Sequence, residues 1–167
     1  AGHGQGACAA AGRWPIIAAR AIRARPRQGN PVDNKAIVSA FLAAAAAGDR
    51  ATMAALLAPD VTITEAGSLP FGGTHVGLAG FEALVRRVFL LWRETRVEIE
   101  RLIADGEHVV VLATMHARSK ADGAALHMPI AEIWRLENGR VREIRPFYFD
   151  TQRFNEILGA RAAGPAA

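Results

Sequence analysis

The chain has 167 residues, 51% hydrophobic and 22% charged. That is one globular domain, long enough to bury a core unaided, and its one cysteine, Cys8, excludes an internal disulfide or a cysteine-based metal framework. A pI near 10.2 would suggest nucleic acid, but residues 1–32 hold five arginines and no acid, which leaves 15 basic against 16 acidic residues in 33–167.

The basic excess thus belongs to a leader, and no nucleic-acid partner is expected for the domain. Residues 1–32 are rich in Gly, Ala, Arg and Pro and lack hydrophobic periodicity, so they are expected to be disordered. The domain is expected at 33–159, followed by a disordered tail at 160–167. No apolar run approaches the roughly 20 residues of a membrane span, so no membrane partner and a cytoplasmic location are expected.

Asp33 or Asn34 can cap a helix from about Lys35 to Ala47, with Ile37, Val38, Phe41 and Leu42 on its apolar side and Gly48 as its stop. Asp49 caps a second short helix, expected to stop at Pro59. Val61 to Glu65 alternates as a strand does, and Ala66 to Gly77 reads as irregular. Phe81, Leu84, Val85, Val88, Phe89 and Trp92 form the apolar stripe of a third helix. The period then changes to two. Val97, Ile99 and Ile103 are expected on a buried face, with Arg96, Glu98 and Glu100 wet. Asp105-Gly106 and Asn138-Gly139 are hairpin signals. They separate strands expected at His108–Arg118, Leu126–Leu136 and Val141–Phe149. A helix from Gln152 to Leu158 closes the domain, with Asp150 as its N-cap.

The order predicts an α+β domain: a cone of three N-terminal helices packed on a strongly curved antiparallel sheet. The mouth of such a cone is a natural site for a small-molecule ligand.

Several segments carry a family resemblance. They are Ala44 to Asp49, Leu57 to Val61, Pro70 to Thr74 with Gly77, Trp134 to Val141, and Pro146 to Asp150. In this order and spacing they resemble the SnoaL-like and ketosteroid-isomerase-like members of the nuclear-transport-factor-like superfamily, over about Asp33 to Gly159. The resemblance implies a homodimer formed through the outer face of the sheet. It also implies isomerase or polyketide-cyclase-like proton transfer next to a carbonyl, with a non-catalytic ligand-binding or dimerisation domain as the alternative.

Glu65, at a strand end, matches the place of the isomerases' proton-shuttling carboxylate. Partial desolvation would raise its pKa toward that of a usable base. Glu132 shares a strand face with Met128, Ile130, Trp134 and Leu136. There a protonated carboxyl could donate to an enolate oxygen, or Arg145 could neutralise it. An ungapped match places Ala131 at the family's acidic position instead. The family's phenolic donor position falls at Phe41, which donates nothing.

His127, with Glu132 or Arg145, is a candidate for oxyanion support, and Arg145 could instead hold an anionic substrate group. Phe41, Trp92, Met128 and Trp134 are the expected apolar walls. The resemblance adds Phe147 and Phe149 on the inside, leaving Tyr148 free to face either way. His116 and His127 lie on neighbouring strands but lack a third ligand, so no metal is expected. No cofactor is expected either, since Gly-rich phosphate loops and nucleophile elbows are missing. Residues 107–118 lack the Arg-x-Asp pair of this fold's epoxide hydrolases.

Overall fold

The computed structural model describes residues 33–159; the expected leader and tail lie outside the described residues. Helix α1 (Asn34–Ala47) begins where the Asp33 carboxylate accepts from the amides of Lys35 and Ala36, and it ends at Gly48 in the left-handed region. Helix α2 (Arg50–Leu56) is capped by Asp49, which accepts from the Thr52 amide. It stops at Leu56, earlier than expected, because the chain turns extended at Leu57. Pro59 therefore lies within strand β1 (Leu57–Glu65). There the pairing register slips between Leu57 and Thr62, a place where a strand tolerates proline.

Strand β2 (Gly73–Val76) pairs antiparallel with β1 in the stretch read as irregular; four residues with one glycine and an exposed valine carry no strand pattern. Helix α3 (Gly77–Leu91) starts at Gly77, whose φ is +68° and where a Cβ would come within 3.0 Å of the Pro59 carbonyl oxygen. Its expected stripe is covered only in part. Leu84 is buried, Phe89 is 51% exposed, and Trp92 already opens the next strand.

Strands β3 (Trp92–Asp105), β4 (His108–Ser119), β5 (Ala125–Glu137) and β6 (Arg140–Tyr148) form a continuous antiparallel meander. The β5–β6 turn has positive φ at both Asn138 and Gly139, as a type I′ hairpin requires. Helix α4 (Thr151–Ile157) is capped by Asp150, which accepts from the Arg153 amide at 2.8 Å.

The sheet order is β2-β1-β6-β5-β4-β3. The β1–β6 pair is parallel, so the sheet is mixed, not antiparallel as expected. Two helices precede β1, the third follows β2, and the fourth is C-terminal.

The alternation in β3 misled. Val97 and Ile99 do sit opposite the buried Met115 and Ala113, but β3 is an edge strand and both side chains are substantially exposed. The register then slips after Ile99, so Leu102 sits opposite Val111 and Ile103 moves to the opposite face. The core lies between the helices and the inner sheet face, where Val109, Val111, Trp134, Leu136, Val141 and Ile144 meet Val38, Phe41 and Phe154. No helix among the described residues is long and apolar enough to cross a membrane.

Candidate active site

Alternation along β1 buries Val61, Ile63 and Glu65 together, which carries a carboxyl into the inner face at the strand's last position. Glu65 is only 7% exposed. Its Oε2 accepts a hydrogen bond from the Tyr148 hydroxyl at 3.1 Å. Tyr148 stands opposite the buried Ile130 and edge-on to Phe154.

Phe147 and Phe149, expected inside, are on the outer face and 51% and 84% exposed. The parity is set by Ile144, buried opposite Trp134, from which Tyr148 lies four residues along the same face. That spacing was present in the sequence and points to Tyr148 as the inward aromatic.

On β5, Glu132 stands opposite Val111 and shares its face with the buried Met128, Ile130 and Trp134. Ala131 turns to the outer face, opposite Phe147 and Leu112. The indole N–H of Trp134 donates to Glu132 Oε2 at 2.9 Å. Arg145 does not neutralise Glu132. It lies opposite Ile133 on the outer face, and its Nε contacts Glu143 Oε1 at 2.9 Å.

Burial pushes the Glu65 carboxyl up to about 7, the Tyr148 hydrogen bond opposes this, and the negative charge of Glu132 adds to it. Burial also raises Glu132, against the opposing Trp134 hydrogen bond. The Tyr148 phenol is held above its ordinary value by burial, and further by Glu65 and Glu132. At neutral pH Tyr148 is therefore a donor and Glu65 titrates, while burial shifts Glu132 toward its neutral acid form. A carboxyl that titrates near the working pH beside a fixed donor can both take and return a proton.

The other expected residues divide. Phe41, Trp92, Met128 and Trp134 are each at most 2% exposed. Phe41 packs edge-on against both Trp134 and Phe81, so these side chains are core walls. His127 is exposed on the outer face, the opposite side from Glu65 and Glu132, and so cannot support an oxyanion beside them. Its Nδ1 lies 3.3 Å from Nδ1 of His116, whose Nε2 is 3.6 Å from Glu98. Among the described residues, no group of three or more His, Cys, Asp or Glu could hold a metal ion.

Two clefts approach this region. One, of about 360 Å³, lies on the outer face among Leu112, Pro129, Ala131, Phe147 and Phe149. The other, of about 380 Å³, opens between the ends of β1 and β6 and reaches Glu65, Tyr148, Arg145 and Thr64.

A family model described as a SnoaL-like domain matches residues 38–144. A comparison with curated proteins gives no match. Among solved structures, an NTF2-like protein of unknown function from Burkholderia pseudomallei K96243 is similar at 28% identity and a TM-score of 0.69, covering 76% of this chain and 98% of that one. A protein with a ketosteroid isomerase-like fold from Catenulispora acidiphila, solved with trimethylamine, is similar at 19% identity and a TM-score of 0.62, covering 78% and 97%. A candidate SnoaL-like polyketide cyclase from Jannaschia sp. CCS1 is similar at 18% identity and a TM-score of 0.64, covering 81% and 100%.

Proposed function

The chain belongs to the SnoaL-like domain family, and from that premise we propose that it binds a small, mostly apolar carbonyl compound and moves a proton at the carbon next to the carbonyl. The observation that carries this reading is the buried Glu65 carboxyl, hydrogen-bonded to Tyr148 and titrating at about 7.

In the proposed step the Glu65 carboxylate takes the proton from that carbon, and the electron pair of the broken C–H bond moves into the carbonyl to form an enolate. The enolate oxygen accepts from the Tyr148 hydroxyl or from protonated Glu132. Protonated Glu65 then returns the proton to the same or a neighbouring carbon, so no net electron transfer occurs. Tyr148 supplies the phenol that Phe41 lacks, from strand β6 instead of helix α1. The fold shared with a candidate polyketide cyclase and with a small-amine complex supports a small-molecule site.

The test is hydrogen–deuterium exchange at the carbon next to the carbonyl, followed by NMR in heavy water with a panel of cyclic ketones. The chain is expected to accelerate exchange, and Glu65→Gln to lower that acceleration by about 100-fold or more. Equal exchange in the variant sinks the reading. It would favour the second one, a non-catalytic ligand-binding or dimerisation domain, which the filled interior around Phe41, Trp92, Met128 and Trp134 supports.

A homodimer through the outer sheet face belongs to the same proposal. It is supported by the exposed Phe147, Phe149 and Ile103. Sedimentation velocity should give twice the chain mass, reduced to one chain by Phe149→Glu; a wild-type monomer refutes it.

A further inference from the structure

We infer that the cleft between the ends of β1 and β6 is a subsite for the carboxylate of a small keto acid, with Arg145 as its cation and Glu65 at its inner end. The inference rests on the proposed proton transfer only for the carbonyl end of that ligand.

The cleft has a cause in the sequence. The parallel β1–β6 register runs through Thr62 and Ile63, opposite Glu143 and Ile144, and then ends; Thr64 and Glu65 continue to pair only with β2. In an antiparallel ladder, alternate residues aim their backbone groups at opposite neighbours. The Phe149 amide donates to the Pro129 carbonyl on β5, so positions 145, 147 and 149 face β5, whereas 144, 146 and 148 face β1. The next donor owed to β1 after Ile144 is position 146, and Pro146 has no N–H. The two strands part there.

The parting brings the two faces of the sheet to one opening. Glu65 and Tyr148 belong to the inner face and Arg145 to the outer, yet all three line the same cleft of about 380 Å³, with the threonines Thr64 and Thr151 beside them. That volume lies within the roughly 300–1,000 Å³ of ligand pockets.

The charge is suited to an anion. Glu143 takes the Nε groups of both Arg145, at 2.9 Å, and Arg135, at 3.5 Å, and Arg135 also lies 3.9 Å from Glu137, so Arg145 shares its carboxylate partner with a second guanidinium. Among the described residues, the ion pair of Arg145 runs through Nε to Glu143. Its terminal nitrogens are left to make the two-pronged contact that a carboxylate accepts. A ligand seated here turns its anionic end to Arg145 and its opposite end to the Glu65–Tyr148 pair. A molecule carrying both a carboxylate and a ketone meets both requirements.

The test is calorimetric titration of the full chain with 3-benzoylpropionate and with its uncharged methyl ester. The acid is expected to bind at least tenfold more tightly than the ester. Arg145→Met, which keeps the length of the stem, should abolish that preference and leave ester affinity unchanged, and Arg145→Lys should retain part of it. Equal affinities in the wild type, a preference that survives Arg145→Met, or failure of both probes to bind overturns the subsite. Because the readout is binding, absence of the preference in the wild-type chain with deuterium exchange intact condemns the subsite alone, and a wild-type preference without Glu65-dependent exchange condemns the proton transfer alone.

Discussion

Phe154→Ala is expected to cost about 3–5 kcal/mol, the usual penalty for emptying a fully buried aromatic position, and to loosen the candidate site with it. Phe154 is 0% exposed, and its ring is the hub of the aromatic packing at this end of the domain. Trp92, Tyr148 and Phe71 all meet it edge-on, with centroids at 5.0, 5.3 and 5.8 Å. Helix α4 is too short to hold itself together. It stays in place through Phe154, Ile157 and the hydrogen bond from Asn155 Nδ2 to the Ser68 carbonyl. Removing the ring leaves Tyr148 without one wall, so the Tyr148–Glu65 bond should weaken as stability falls. Urea denaturation measures the first effect, and the titration of Glu65 by carboxyl NMR the second. A loss below about 1 kcal/mol would mean that α4 is not docked as described.

Glu65→Gln is expected to change how stability depends on pH. The Glu65 carboxyl rises from its ordinary 4.5 to about 7 in the folded chain. The folded state therefore holds the proton more tightly than the unfolded state does. Between those two values the native chain carries more protons, so stability falls as pH rises, and above about 8 the loss is complete. At about 1.4 kcal/mol per pKa unit, this one group lowers stability by about 3 kcal/mol between pH 4.5 and pH 8. The neutral glutamine keeps a carbonyl for the Tyr148 hydroxyl and abolishes that fall. Glu132, also raised, contributes in the same direction and remains in the variant. Denaturation midpoints at pH 5, 6, 7 and 8 should thus decline less steeply in Glu65→Gln than in the wild type. Parallel declines would show that the buried charge of Glu65 is not what the fold resists.

Much of the fold was legible because local chemistry decided it. Asp33, Asp49 and Asp150 cap the helices expected of them, and the turns at Gly106 and Gly139 have the positive φ their sequences call for. What the sequence could not show depended on neighbours. Val97 and Ile99 alternate like a buried face, but only the sheet order reveals that β3 is an edge without a cover. Ile103 changed sides through one extra residue, which alternation cannot foresee. The choice between Glu132 and Ala131 was a question of parity, settled by the register with Val111. Glu65 stood out on its own as a strand-end acid. Its partner Tyr148 did not, because a resemblance placed the flanking phenylalanines inside.

The parallel joint between β1 and β6 also bears on how the chain folds. The meander closes through short hairpins, which form in roughly microseconds. The joint instead ties together segments far apart in the chain, and the Tyr148–Glu65 bond spans 83 residues. Contacts of such long range set slow folding rates, because the loop must close before the contact gives anything back. The candidate site is thus assembled by the longest-range strand pairing among the described residues. A partly folded chain with its hairpins intact would still lack the acid–phenol pair, so the state of Glu65 reports on completion of the fold.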